Sequence, residues 1–137
     1  GLAACQTTGP TVPQLVSFKA KDSKAVKGAL ALDFTSSNWT VQKETDSTLT
    51  LRTSQFDSGI GGAMLTCSVC RPPELEVDIV AAVVGDSVTV SYKAWWIVNP
   101  GSPAERKLDN ADREDIQRHI KANIEHAKKI LAGRPYT

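Results

Sequence analysis

No stretch of the 137 residues is apolar for long enough to cross a bilayer as a helix, which takes roughly 20 consecutive residues. Charge of a dominant sign is missing too. Sixteen Lys and Arg stand against 15 Asp and Glu, a net charge of +1, so no electrostatic footprint for nucleic acid stands out. Histidine is scarce. His119 and His126 are seven apart on a helical segment, two turns and about 10 Å along the axis, too far for one metal ion to bridge. The Gly-x-Ser-x-Gly pattern of a nucleophile elbow is absent. Gly59-Ile60-Gly61-Gly62 is not followed by the Lys-Ser/Thr of a phosphate loop. The acidic run from Asp109 to Asp115 lacks the spaced oxygen ligands and central glycine of a calcium loop. The resulting expectation is a non-enzymatic protein with no catalytic residues, no metal, no cofactor and no nucleic-acid partner.

What is present begins with Gly1-Leu2-Ala3-Ala4-Cys5. Leu2-Ala3-Ala4-Cys5 resembles the lipobox of bacterial lipoproteins. Small residues at positions 3 and 4 let a peptidase approach the backbone, and Cys5 supplies the sulfur that accepts a lipid. The resemblance implies cleavage before Cys5 and lipid attachment there, with Gly1 to Ala4 a signal-peptide remnant. Each buried acyl methylene adds about 0.8 kcal/mol, so a multiply acylated cysteine is a durable anchor. Gln6 to Gln14 is polar and carries Gly9, Pro10 and Pro13, the composition of a tether. Gln6 in place of Asp resembles the sorting signal for the outer membrane. The expected location is the bacterial envelope, lipid-anchored to the outer membrane and facing the periplasm. Residues 1–14 form the remnant, anchor and tether, and residues 15–137 a single domain of ordinary size.

With Cys5 lipidated, Cys67 and Cys70 remain as an even pair in an oxidising compartment. Their C-x-x-C spacing admits several readings. Zinc needs two further ligands. Haem attachment needs His after the second Cys, where Arg71 stands. Thiol redox chemistry needs a helix start, which Pro72-Pro73 forbids. A small disulfide in a turn is the preferred reading. Residues three apart on a strand sit about 10 Å apart, beyond disulfide reach, so the chain must turn near Cys67.

Periodicity supplies the fold class. Leu15 to Lys19 is a short strand or an extended lead-in. Asp22 and Ser23 can cap a helix in which Val26, Ala29, Leu30 and Phe34 form one apolar stripe. Trp39 to Gln42 and Leu49 to Leu51 alternate around the turn Thr45-Asp46-Ser47, a hairpin. After a Gly-rich loop, Ala63 to Cys67 suggests a third strand. Leu75 to Val83 alternates strictly, with Glu76 and Asp78 on the other face; Gly85-Asp86 fits a two-residue primed turn, and Val88 to Ala94 alternates back. A long helix follows, started by Asp109, Asn110 or Asp112, striped by Ile116, Ile120, Ile124, Ala127 and Leu131, and stopped by Gly133 and Pro135. The class is α+β: a five-stranded antiparallel sheet with two helices, in the order αβββββα.

That order resembles the helix-grip arrangement, in which a curved antiparallel sheet wraps a long C-terminal helix. The Val26 to Val41 pattern is similar to small bacterial lipoproteins. The resemblance covers about Ser23 to Gly133 as pattern and carries no catalytic residues. On the last strand Trp95 and Ile97 face away from Tyr92 and Ala94. An exposed Trp-Ile pair marks a partner surface, unless a strand, loop or tether covers it. The expected role is a lipid-anchored protein-interaction module with an envelope protein as partner. The alternative is small-ligand binding in a cavity between the sheet and the C-terminal helix.

Overall fold

Local chemistry starts the first helix where the sequence places it. The computed structural model describes residues 14–20, 22–56, 72–108 and 114–133. Cys5, Cys67, Cys70 and the strand expected over Ala63 to Cys67 lie outside these residues. Asp22 has extended backbone, and its carboxylate accepts the Lys24 amide at 2.9 Å, satisfying one of the orphan donors of a helix start. Helix α1 (Ser23–Thr35) buries Val26, Leu30 and Phe34 at four-residue intervals. The Ser36 amide donates back to the Leu32 carbonyl, and Asn38 takes a left-handed φ of 71°, which Asn tolerates better than most residues. The reversal brings the Trp39 ring edge-on to Phe34, with centroids 5.3 Å apart.

The strands are β1 (Gln14–Phe18), β2 (Thr40–Glu44), β3 (Thr48–Thr53), β4 (Glu74–Val84), β5 (Ser87–Val98) and β6 (Arg106–Leu108). Each neighbouring pair is antiparallel, in the order β1-β5-β4-β3-β2. The segment that the sequence left open between strand and lead-in is thus an edge strand, β1. No residue pattern signalled β6, which pairs with Trp96 to Val98, beyond the Val88 to Tyr92 stretch that β1 covers. Gly85 alone of the two turn residues has positive φ, at 61°. That is the sign pattern of a II′ turn, whose twist suits a tight hairpin.

Helix α2 (Glu114–Leu131) carries Ile116, Ile120, Ile124 and Ala127 fully buried on one stripe. Gly133, at φ 81°, ends it, its amide donating to the Ile130 carbonyl at 3.0 Å, as glycine after a helix commonly does. Alternation along the strands sends Leu49, Leu51, Leu75, Val77, Ile79, Val88, Val90 and Ala94 into one core with both helices. Each such Leu, Ile or Val side chain contributes roughly 1.5–3 kcal/mol relative to exposure. The helices also meet through polar groups. Asp33 pairs with the His126 ring, and Ser37 Oγ donates to Asn123 Oδ1 at 3.1 Å. These two pairings run α1 and α2 antiparallel. The fold is α+β, two helices on an antiparallel sheet, and four of the five strands expected between the helices lie among the described residues.

Candidate functional site

The face of the sheet turned away from the helices divides into two halves of different chemistry. Register places Arg52, Glu76 and Trp95 in one row across β3, β4 and β5. Thr50, Asp78 and Lys93 form the next row, and Glu74, Ile97 and Lys107 the row on the other side. Glu76 is only 3% exposed although it faces away from the helices. A carboxylate that dry must be paired, and it is paired twice. Arg52 Nε donates to Oε1 at 2.9 Å, and Lys107 Nζ lies 2.7 Å from Oε2. Lys107 also donates to Asp78 at 3.2 Å.

Arg52 turns its remaining nitrogens to Glu105, at 3.0 and 3.3 Å. This forked geometry is the stronger form of ion pair. Glu105 Oε1 further accepts the Gly101 amide at 2.8 Å. The Arg52 hydrogen bond, with help from the Gly101 amide, holds the Glu105 carboxyl below the ordinary range. Burial pulls the Lys107 ammonium down, but Glu76 and Asp78 more than restore it, so its pKa is raised. The network therefore clasps the 99–105 connection and β6 onto the sheet. Each Glu76 oxygen has a cation against it. Gln42, Lys43 and Thr50 complete the walls of a mixed-charge recess of about 540 Å³ around it.

Trp95 lies within this clasp, half-buried, with Lys93 Nζ 4.1 Å and Lys107 Nζ 5.1 Å from its ring centroid. Both cations lie within cation–π range. Among the described residues its indole N–H has no acceptor. Ile97 is fully buried, at 0% exposure. The expectation of an exposed Trp-Ile pair is therefore corrected. Both side chains do face outward, but β6 lies beside Ile97, and its Lys107 reaches back over Trp95.

Exposed apolar surface occurs in the other half of this face. The outward positions there are Leu15, Ser17, Val80, Ala82, Val84, Ser87, Thr89 and Ser91, none of them charged. Leu15 is 70% exposed, Val84 58% and Val80 43%. The sequence contained this signal, because charge stops at Asp78 and Lys93 on the outward positions of the β4–β5 hairpin. Arg52, Glu105 and Lys107 escaped notice because strand periodicity says nothing about which rows lie side by side.

The two histidines are partnered separately. His119 contacts Gln55 at 3.2 Å and meets the Phe56 ring edge-on at 5.1 Å, and His126 pairs with Asp33. At the rim of the sheet, where β1 and the end of α2 part, a mainly apolar groove of about 330 Å³ opens. No family model matches the chain, and no curated protein matches it.

Proposed function

We propose that this chain is a lipid-anchored bacterial envelope protein that works as a protein-interaction module. The motif Leu2-Ala3-Ala4-Cys5, followed by the polar stretch from Gln6 to Pro13, carries the reading. Eight residues lie between Cys5 and Gln14, so the domain hangs within about 30 Å of its anchor. No helix among the described residues is long and apolar enough to cross a membrane, and a lipid would then supply the attachment. The uncharged outer half of the sheet, with Leu15, Val80 and Val84 exposed, supports a surface for another protein. The charged half supports a scaffolding role, since its carboxylates are committed to holding β6.

Metabolic labelling of the precursor with a fatty-acid analogue tests the anchor. Label on the wild-type chain and none on Cys5→Ser is the expected result. Label that persists in Cys5→Ser overturns the assignment. The interaction is tested by crosslinking the anchored chain in intact envelopes. Absence of any specific adduct along the outer sheet face counts against it.

A further inference from the structure

The groove at the rim lies beside β1, along an edge that no described strand covers. It is lined by Ser17, Phe18 and Lys19 from the end of β1 and by Lys128, Leu131 and Ala132 from the end of α2. Phe18 forms the buried floor, 1% exposed, and Leu131 is partly buried against the core. Among the described residues no strand pairs with β1 on the side away from β5. An antiparallel edge strand directs the N–H and C=O of alternate residues outward, and these offer a ladder to an extended chain.

We propose that the free edge of β1, with the groove between it and the last turn of α2, is a strand-addition site for an extended, acidic-flanked peptide segment of a partner protein. This deepens the interaction reading above and names where the partner sits. Strand addition draws affinity from main-chain hydrogen bonds and specificity from pockets that take alternate side chains. Here one apolar side chain of the peptide enters the groove against Phe18, Leu131 and Ala132.

Charge selects the occupant. Lys19 and Lys128 flank the groove, and among the described residues neither has an ion-pair partner. Lys128 also complements the helix dipole, whereas Lys19 lies on no helix. Two cations across one groove repel each other until an anion comes between them. Of the given residues that lead directly into β1 and out of α2, 1–13 contain no Asp or Glu, and 134–137 bring a further cation, Arg134. A second copy would bring the same uncharged β1 and the same lysines. A foreign segment with acidic residues beside an apolar one satisfies both features.

The test uses the full chain and a labelled heptapeptide of alternating valine and threonine with glutamate at both ends, read by fluorescence anisotropy. Saturable binding is expected. N-methylation of alternate amides on one peptide edge should abolish it, while methylation on the opposite edge leaves it intact, because only one edge faces β1. Lys19→Glu with Lys128→Glu should weaken binding roughly tenfold, as expected for reversing two charge pairs at the surface. Lys19 is exposed and Lys128 half-buried in the last turn of α2, so circular dichroism first verifies that the double variant is folded at the assay temperature. Lys43→Glu, on the opposite edge of the sheet, should leave affinity unchanged. Binding indifferent to the methylation pattern, binding weakened equally by Lys43→Glu, no binding at millimolar peptide, or β1–β1 dimers instead would each overturn the proposal. Failure here alongside intact labelling at Cys5 removes the groove and leaves the anchor standing.

Discussion

The two edge strands of the sheet receive opposite treatment. On β2 the register slips between Val41 and Lys43, leaving Gln42 in a bulge. Lys43 is exposed, and Glu44 is tied to Lys27 of α1 at 2.5 Å. A bulge, edge charge and a helix over the edge are three ways of blocking further strand pairing. On β1 none of them occurs among the described residues. Gln14 to Phe18 keeps unbroken register with β5 and carries no charge. A protein that seals one edge with three devices and leaves the other regular treats the second edge differently. Among the described residues brevity is what protects β1, and five residues are enough for a peptide to add.

The largest effect expected from breaking this contrast is at Phe18. Removing its ring in Phe18→Ala empties a fully buried core position, and urea denaturation should show a loss of about 3–5 kcal/mol. A loss below about 1 kcal/mol would mean that β1 is not anchored to the core. The second effect is on the sealed edge. Glu44→Ala leaves Lys27, 7% exposed, without its carboxylate. Since Glu44 is itself nearly half-exposed, the expected cost is about 1–2 kcal/mol. Lys27→Met, which removes the buried charge and keeps the stem, should cost less than Glu44→Ala. The reverse order would show that the ion pair does not hold α1 to β2.

Acid separates the ends of the open side. Glu105 is held below the ordinary carboxylate range, first by Arg52 and then by the Gly101 amide. A carboxyl whose folded pKa is depressed stabilises the fold above its unfolded value of about 4.3 and loses that contribution as pH falls through the folded value. The Gly101 amide resonance should therefore hold steady from pH 7 to about 5 and shift below about pH 4, while β1 amides stay in place. Movement of β1 first would show that β6 is not the acid-sensitive neighbour. The smallest effect is at Lys43. Lys43→Glu, like Lys19→Glu, should change stability by less than about 0.5 kcal/mol, and only the latter should touch peptide affinity.

Much of this architecture was legible in the residues. The stripe Val26, Leu30, Phe34 and the stripe Ile116, Ile120, Ile124 specified two helices, because burial on a 3.6-residue period has few other solutions. Alternation from Leu75 to Ala94 specified the central hairpin, and Gly85 its turn. The candidate sites were less legible. Trp95 and Ile97 were assigned to the correct face, but their exposure depended on β6, three residues whose pairing has no local signature. The Arg52–Glu76–Lys107 clasp joins residues 24 and 31 positions apart or more. Only the strand order makes them neighbours. The open edge was invisible for the same reason, since a sequence pattern marks strands and does not say which one lies outermost.

The most direct test of the open edge is amide hydrogen exchange on the full chain, with and without the valine–threonine peptide. Along Gln14–Phe18, amides directed at β5 are already protected, and the alternate ones should slow when the peptide binds. Amides of Thr40–Glu44 should not change. Slowing along Thr40–Glu44, or no slowing in β1 at saturating peptide, would contradict the assignment of β1 as the edge this protein leaves open for a partner.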